Sequence, residues 1–423
     1  MRRFALLAGG ILFPLVPLLF YFYGNFYDLT EPYSLSMIFG LISYVYFHEV
    51  LFIAGRISFL DRIFGQDRVM VYHRYLVAAA LVTAFLHRQI KMSVFSYSSG
   101  QILLGSLAFL VFGTLSLASL FMVIPSRLGF LKKISPDYNL IKGLHNLLVL
   151  GLFLMSLHVF FASSTWETSS RLILAILIPL VSLGAWINLK FVRPLKGWQR
   201  GLVVGENRGL NDSIRQIGFK GNLPSFRAGQ FGFFRFVDPS LSREEHPFSF
   251  SSAPEEVGGS ITVKALGNYT RSLADLKPGT PVVLDGPYGR FTLEPDSDKP
   301  LIMIAGGIGI TPFYSQLKSG ELRNDREVLL IWAVKRREDL VYDEELIGLA
   351  QKKNLTYLPL IRHEEGKEVP TITAEFIKSH LNQPPLNYTA YFCGSPVMFK
   401  SLKREWKKLG ILPRDVHYEK FSL

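Results

Sequence analysis

VYHRYLVAAALVTAFLHRQ (71–89) and GLHNLLVLGLFLMSLHVFF (143–161) are two apolar segments, each carrying two histidines far apart. His73 and His87 lie 14 residues apart, His145 and His158 13 residues apart. At about 1.5 Å rise per residue, either spacing predicts two imidazoles about 20 Å apart along a helix. That is most of a hydrocarbon core about 30 Å thick, so each helix would hold one imidazole near each membrane face. Imidazole is costly in lipid unless it is partnered, which makes an intramembrane histidine a functional candidate. Side by side, the two helices would pair His73 with His145 and His87 with His158. Two stacked bis-imidazole sites suit two b-type haems with axially bound iron; the chain has no Cys-x-x-Cys-His motif for covalent attachment. A lone histidine more often caps a helix or bonds a carbonyl, but four in matching pairs argue against that. Fourteen residues is nearly four turns, so His73 and His87 share a face. Thirteen falls more than a third of a turn short. Either the second helix is locally distorted, or the two haems approach it from different bearings.

The rest of the composition agrees with a membrane chain. A length of 423 residues suggests two or three domains, and the 49% hydrophobic content is concentrated in the N-terminal half. One cysteine, Cys393, excludes an intramolecular disulfide and a cysteine-built metal site. The net charge of +12 could suggest nucleic acid, but no basic, aromatic-interleaved patch stands out. Much of the charge lies in loops between apolar runs, where the positive-inside rule accounts for it, and no nucleic-acid partner is expected.

Six runs can span a bilayer: 4–23, 34–54, 70–87, 101–124, 141–162 and 171–191. The start resembles a signal peptide without a small-residue cleavage site, so an uncleaved first span is expected. Arg56, Arg62 and Arg68 follow run two, Arg127, Lys132 and Lys133 follow run four, and Lys190, Arg193, Lys196 and Arg200 follow run six. These loops belong to the cytoplasmic side, which places both termini inside, His73 and His145 near the inner face, and His87 and His158 near the outer. Arg88 and Lys91 sit on the outer side, either snorkelling to headgroups or neutralising haem propionates and attracting an anionic acceptor. His48, beside Glu49, reads as half of a structural polar pair.

After Arg193-Pro194 the pattern turns to short strands and turns. GLVVGENRGLNDSIRQIGF reads as a hairpin and FRAGQFGFFRF as a turn into a strand, followed by HPFSFSSAP (246–254), ITVKALGNYTRSL and DGPYGRF (285–291). LIMIAGGIGITPF (301–313) is a buried strand entering a Gly-rich turn and a helix start, a phosphate cradle built on Gly306, Gly307, Gly309, Thr311 and Pro312. Pro312 stands where the usual dinucleotide fingerprint has its third glycine. The next strand, EVLLIWAV, ends in Lys335-Arg336-Arg337-Glu338, and arginines there favour the 2′-phosphate of NADPH over the free hydroxyl of NADH. A last strand, YTAYFCGSP, precedes an amphipathic helix.

Together these segments resemble the NADPH oxidase and ferric reductase transmembrane family over nearly the whole chain. The resemblance implies a multi-domain fold: a six-helix di-haem membrane domain (1–193), an antiparallel β-barrel FAD domain (194–296) and an α/β NADPH-binding domain (297–423), the last two forming a ferredoxin-reductase-like module. It implies that His73, His87, His145 and His158 ligate haem iron. HPFSFSSAP looks like the family's FAD motif: His246 takes a place that is Arg in plain ferredoxin reductases, Pro247 and Ser251 belong to the same run, Phe248 packs on the flavin, and Ser249 lies near its reactive edge. Gly267 and Thr270 match the FAD pyrophosphate contact. Cys393 and Gly394 correspond to the nicotinamide loop near the transferred hydride, and Phe421 to the aromatic residue that covers the flavin in many relatives, although Ser422 and Leu423 follow it. No EF-hand loop or long N-terminal extension is evident, so the chain looks like the minimal, bacterial form, with no obligatory protein partner.

The expected activity is electron transfer from cytoplasmic NADPH through FAD and two haems to an acceptor outside a bacterial plasma membrane. Oxygen, giving superoxide, is favoured because HPFSFSSAP and LGNYTRSL look closest to the oxidase branch; a ferric chelate is the alternative acceptor. From a different class, the chain could be a haem-binding sensor or relay subunit without reductase turnover.

Overall fold

The computed structural model describes residues 9–10, 12–22, 29–94, 99–120, 138–294, 297–362 and 371–420. The chain divides into two compact units, 1–192 and 193–423.

The first unit is helical. Among the described residues five helices are long and apolar enough to span a membrane: Pro32–Ala54, Arg68–Val94, Gly100–Ser119, Leu140–Phe160 and Ser169–Gln199. The first expected run, 4–23, lies partly outside the described residues; its described part includes the helix Leu15–Phe22. Val82, Leu103, Leu110, Phe153 and Leu180 point outward and are more than half exposed, as suits a solvent of lipid tails. Several polar side chains turn inward and meet partners there. Pro179 has no N–H to give the carbonyl four residues back, and the Tyr44 hydroxyl donates to that Ala175 carbonyl at 3.0 Å. Arg171, almost fully buried, donates to the Tyr21 and Ser164 carbonyls at 3.0 and 3.2 Å and pairs with Glu167, tying the start of its helix to the Leu15–Phe22 segment.

The second unit begins with two antiparallel three-stranded sheets. β1 (Val203–Gly209), β2 (Ile214–Lys220) and β5 (Ser260–Lys264) form one in the order β1-β2-β5. β3 (Phe231–Phe236), β4 (His246–Ser249) and β6 (Val282–Tyr288) form the other in the order β4-β3-β6. Burial alternates strictly along β3, whose inward Phe234 and Phe236 join Ile217, Phe250 and Leu284 in a shared core.

Five parallel strands follow: β7 (Leu301–Gly306), β8 (Val328–Val334), β9 (Leu355–Ile361), β10 (Thr389–Gly394) and β11 (Val416–Lys420), ordered β11-β10-β7-β8-β9. Helices cover both faces, so β7 and β10 read as unbroken apolar runs. Because the chain moves from β7 to β8 and β9 on one side, then returns to β10 on the other, the strand order reverses between β7 and β10. In open α/β sheets ligands bind outside the strand ends at such a reversal.

Candidate functional site

In the membrane-type unit the two expected histidine pairs face each other. The ring centres of His73 and His145 lie 6.3 Å apart, and those of His87 and His158 6.4 Å apart. Metal–imidazole bonds of about 2.0–2.1 Å, with about 1.1 Å from ring nitrogen to ring centre, give roughly 6.3 Å between imidazoles on opposite sides of one metal. Each pair would thus have room to hold a metal ion between its two imidazoles.

The hydrogen bonds fit as well. His87 Nδ1–H donates to the Ser36 carbonyl at 2.8 Å, and His158 Nδ1–H to the Gln101 carbonyl at 3.1 Å. Ser119 gives its own proton to the Leu115 carbonyl at 2.7 Å, so His145 Nδ1–H donates to Ser119 Oγ at 2.9 Å. A donating Nδ1 leaves Nε2 with the lone pair, the tautomer a metal requires. His73 Nδ1 is buried, faces the Val50 carbonyl and makes no close hydrogen bond. Glycines let neighbouring helices approach the outer pair. A Cβ on Gly40 would stand 2.6 Å from His87 Nδ1, and one on Gly105 3.0 Å from the His158 ring.

The 13-residue spacing is accommodated by distortion. The helix breaks at Leu147 into Tyr138–Asn146 and Leu148–Phe160, with i→i+3 bonds from Leu147 to Leu144 and from Leu150 to Leu147. Such a turn advances about 120° per residue rather than about 100°, carrying His158 toward the bearing of His145. His48 departs from the expected pairing with Glu49. Adjacent helical residues do not face each other; His48 Nδ1 lies 2.7 Å from Ser182 Oγ and its Nε2 3.3 Å from Ser156 Oγ, while Glu49 accepts from the Tyr72 hydroxyl at 3.3 Å. Lys91 Nζ lies 4.1 Å from the Tyr33 ring centre and Arg88 6.0 Å from that of Phe109.

In the second unit β4 presents HPFS along the edge of its sheet. Pro247 is exposed, His246 and Phe248 are half-buried, and the His246 ring stacks on Tyr269 with centres 3.6 Å apart. The Ser249 hydroxyl is buried and has no hydrogen-bond partner among the described residues. A buried hydroxyl without a partner costs about 1–3 kcal/mol, so it fits a bound group that offers one. Ser251 joins a chain of hydroxyls with Ser260 and Thr262 that ends on Tyr342. Thr270 Oγ1 accepts from the Leu266 and Gly267 N–H groups at 2.9 and 3.0 Å and thereby shapes the exposed turn at 266–270.

The glycine-rich loop joins β7 to the helix Ile310–Lys318. Its glycines have separate tasks. Gly307 has φ +55° with open space where a Cβ would point, while Gly309 packs against the Cys393 carbonyl and Gly306 against Met398 and Gly394. The Trp332 indole N–H donates to the Gly307 carbonyl at 2.8 Å, and the Thr311 hydroxyl donates to the Ile308 carbonyl at 3.1 Å. Pro312 occupies the first helical turn, where its missing N–H leaves nothing unpaired. The loop and helix start lie at the strand reversal, with the build that suits an anion.

Cys393 is fully enclosed; burial, aided by the Glu419 carboxylate, pushes its thiol well above the usual range. Its carbonyl and Gly394, rather than its sulfur, border the loop. Arg336 is exposed and pairs with Glu338 at 3.0 Å, and Arg337 is exposed beside it. Phe421 lies outside the described residues. The flavin-type and nucleotide-type motifs are brought together, since Ser315 Oγ on the helix after the glycine loop donates to the Ser252 carbonyl at 2.6 Å. Tyr269, Trp332 and Met398 are residues of the site beyond those the sequence motifs mark. Only Trp332 carried a signal, as a tryptophan two residues from the end of an apolar strand.

Residues 303–404 match the family model "Oxidoreductase NAD-binding domain". The chain is 30% identical over 213 residues to a flavohemoprotein of Bacillus subtilis (strain 168), covering 47% of this chain and 52% of that protein. It is 28% identical over 208 residues to the 2-halobenzoate 1,2-dioxygenase electron transfer component of Burkholderia cepacia, covering 47% of this chain and 59% of that protein. It thus spans little more than half the length of these curated relatives. Among solved structures, a cytochrome P450 reductase from Amycolatopsis is 23% identical, with a TM-score of 0.47, covering 53% of this chain and 69% of that one. The C-terminal unit is a ferredoxin-reductase-like FAD/NAD-binding module.

Proposed function

We propose that this chain is a transmembrane oxidoreductase that passes electrons from NADPH, through FAD and two b-type haems, to an acceptor on the outer membrane face, oxygen being the acceptor and superoxide the product. The observation that carries the reading is the coexistence, in one chain, of an FAD/NAD-binding module and two imidazole pairs 6.3 and 6.4 Å apart within apolar helices. A haem-binding sensor or relay subunit without turnover would need no nucleotide cradle, and the Gly306–Pro312 loop retains one.

His73 with His145, and His87 with His158, would hold the haems, and Ser249, Phe248, His246, Gly267 and Thr270 would hold FAD. When bound, the flavin accepts a hydride and releases electrons one at a time to haem iron; that chemistry belongs to the cofactors. The chain's own contribution is orientation. The Ser36, Gln101 and Ser119 oxygens hold Nδ1 protons so that Nε2 points inward. Ser249 offers one buried hydroxyl. The Gly307 turn and the Ile310–Lys318 helix start receive the pyrophosphate of NADPH. The exposed Arg336–Glu338 pair is weak enough to open, which frees Arg336 to join Arg337 on a 2′-phosphate. Burial favours the neutral form of the Cys393 thiol. The three-domain division at 193/194 and 296/297, six spans and a cytoplasmic module belong to the same proposal.

The test is anaerobic reduction of the detergent-purified chain by NADPH with added FAD, followed through the haem Soret and α bands. Oxygen or a ferric chelate is then added to separate samples. Fast reoxidation by oxygen with matching dismutase-sensitive superoxide supports the oxidase; slow reaction with oxygen and fast reaction with chelate makes the protein a ferric reductase. Haem bands that stay oxidised while flavin is reduced would favour a sensor or relay, and the lack of any haem band would overturn the reading.

A further inference from the structure

Arg336 and Arg337, the pair expected at a 2′-phosphate, sit on a short turn after β8 that is held from outside its own sheet. The Asp339 N–H donates to the Arg336 carbonyl and the Leu340 N–H to the Arg337 carbonyl, both at 3.0 Å, so one tight turn contains both arginines. Whatever fixes residues 338 and 339 therefore fixes the backbone of Arg336 and Arg337.

Two side chains of the β1-β2-β5 sheet do so. Lys264 Nζ, on β5, donates to Asp339 Oδ1 at 2.5 Å, the two side chains being only 19% and 9% exposed. Asn211, in the turn between β1 and β2, donates from Nδ2 to the Glu338 carbonyl at 2.6 Å. Its amide is oriented locally, because Oδ1 accepts from the Ser213 and Ile214 N–H groups at 2.8 and 2.7 Å. Ile214 pairs with Lys264 across the sheet, and the Ala265 N–H donates to the Ser213 carbonyl at 2.7 Å, so both anchors stand on one platform. Plain adhesion between the sheets would not require the tie to fall on the arginine turn, nor to use a carboxylate there. A carboxylate two residues from Arg337 opposes an incoming anion and competes for the guanidinium groups. Paired with a buried lysine it does neither. We infer that Lys264 and Asn211 are positioning residues for the 2′-phosphate of NADPH, holding the Arg336-Arg337 turn in place and occupying the carboxylate beside it. The exposed Arg336–Glu338 side-chain pair can then open while the backbone stays fixed. This deepens the NADPH reading proposed above and rests on it, but needs neither haem nor a particular acceptor.

The experiment measures ferricyanide reduction by full-length, FAD-loaded protein with NADPH and with NADH, and inhibition by 2′,5′-ADP. For Lys264→Met, KM for NADPH and the inhibition constant of 2′,5′-ADP should both rise roughly tenfold or more, the worth of a hydrogen bond to a charged group. KM for NADH and both kcat values should stay within about twofold of wild type, since NADH has no 2′-phosphate to misplace. Lys264→Arg keeps the ion pair and should restore the NADPH value. Asn211→Asp keeps the acceptor for Ser213 and Ile214 but loses the donor to Glu338, and should raise KM for NADPH alone; at an exposed site, it carries the test if Lys264→Met does not fold. Repeating the series in about 0.5 M salt screens bare field effects, so a rise that vanishes there would overturn positioning. Equal rises for NADPH and NADH, or no change in either, would also overturn it, as would loss of FAD, which would make Lys264 part of the flavin site. A wild type that does not prefer NADPH over NADH would instead refute the 2′-phosphate reading of the arginines before any variant is compared.

Discussion

The Cys393 carbonyl oxygen stands 2.3 Å from the point where a Cβ on Gly309 would lie. Two loops at the strand reversal are thus in backbone contact, and only hydrogen fits between them. Gly309→Ala must push the loops apart, costing about 1–3 kcal/mol by overpacking. NADPH-driven ferricyanide reduction should show KM raised tenfold or more. Gly307→Ala, by contrast, meets open space and pays only for its left-handed φ, about 1–2 kcal/mol. Equal KM values in the two variants would contradict this division of roles.

His87→Leu removes one member of the outer pair. The expected product keeps flavin reduction by NADPH at the wild-type rate, loses about half its haem absorbance, and no longer reduces an external acceptor. Haem content per chain, measured as the pyridine haemochrome, checks it.

Gly40 and Gly105 predict a graded series. A methyl on Gly40 would meet His87 Nδ1 at 2.6 Å, and one on Gly105 would meet the His158 ring at 3.0 Å. Gly40→Ala should therefore lower outer-site haem occupancy more than Gly105→Ala, while both leave the inner pair unchanged in the reduced α-band spectrum.

Ser249→Ala removes a buried hydroxyl with no partner among the described residues. Stability should hold or rise slightly, because a desolvated group is lost. If that hydroxyl serves the flavin, the rate of flavin reduction by NADPH should fall about 10- to 100-fold, the worth of a hydrogen bond to a developing charge. A higher melting temperature together with slower stopped-flow flavin reduction is the expected signature.

Burial raises the Cys393 thiol above its ordinary value. The folded protein then holds its proton at pH values where the unfolded chain, near 8.5, has begun to release it. This contribution to stability is complete below about pH 8.5 and is lost as pH rises through the higher folded value. Cys393→Ala should therefore melt with less dependence on pH between 8 and 10 than wild type. Iodoacetamide should label the native thiol slowly across that range and rapidly only after unfolding.

The local elements were largely legible in the sequence because each follows from a short-range rule. A turn before an apolar run marks β3, unbroken apolar runs mark β7 and β10, and glycines before Pro312 mark the cradle. The strand β9, Leu355–Ile361, and the helix Asp343–Lys352 escaped the reading, since Pro359 interrupts one and four charges crowd the other. His48 and Glu49 are adjacent in sequence but not in space, because a helix turns those two side chains apart.

The sequence by itself determined which residues carry chemistry and how far apart they lie along the chain: two histidine pairs at 14 and 13 residues, one glycine-rich turn, one HPFS run. Tertiary structure decided everything that depends on a bond between distant residues. The break at Leu147 that reorients His158, the Ser36 and Gln101 carbonyls that set two imidazole tautomers, and the Tyr44 hydroxyl that repairs the Pro179 helix are of this kind. In each case packing fixes which groups meet, and no local pattern of residues encodes it.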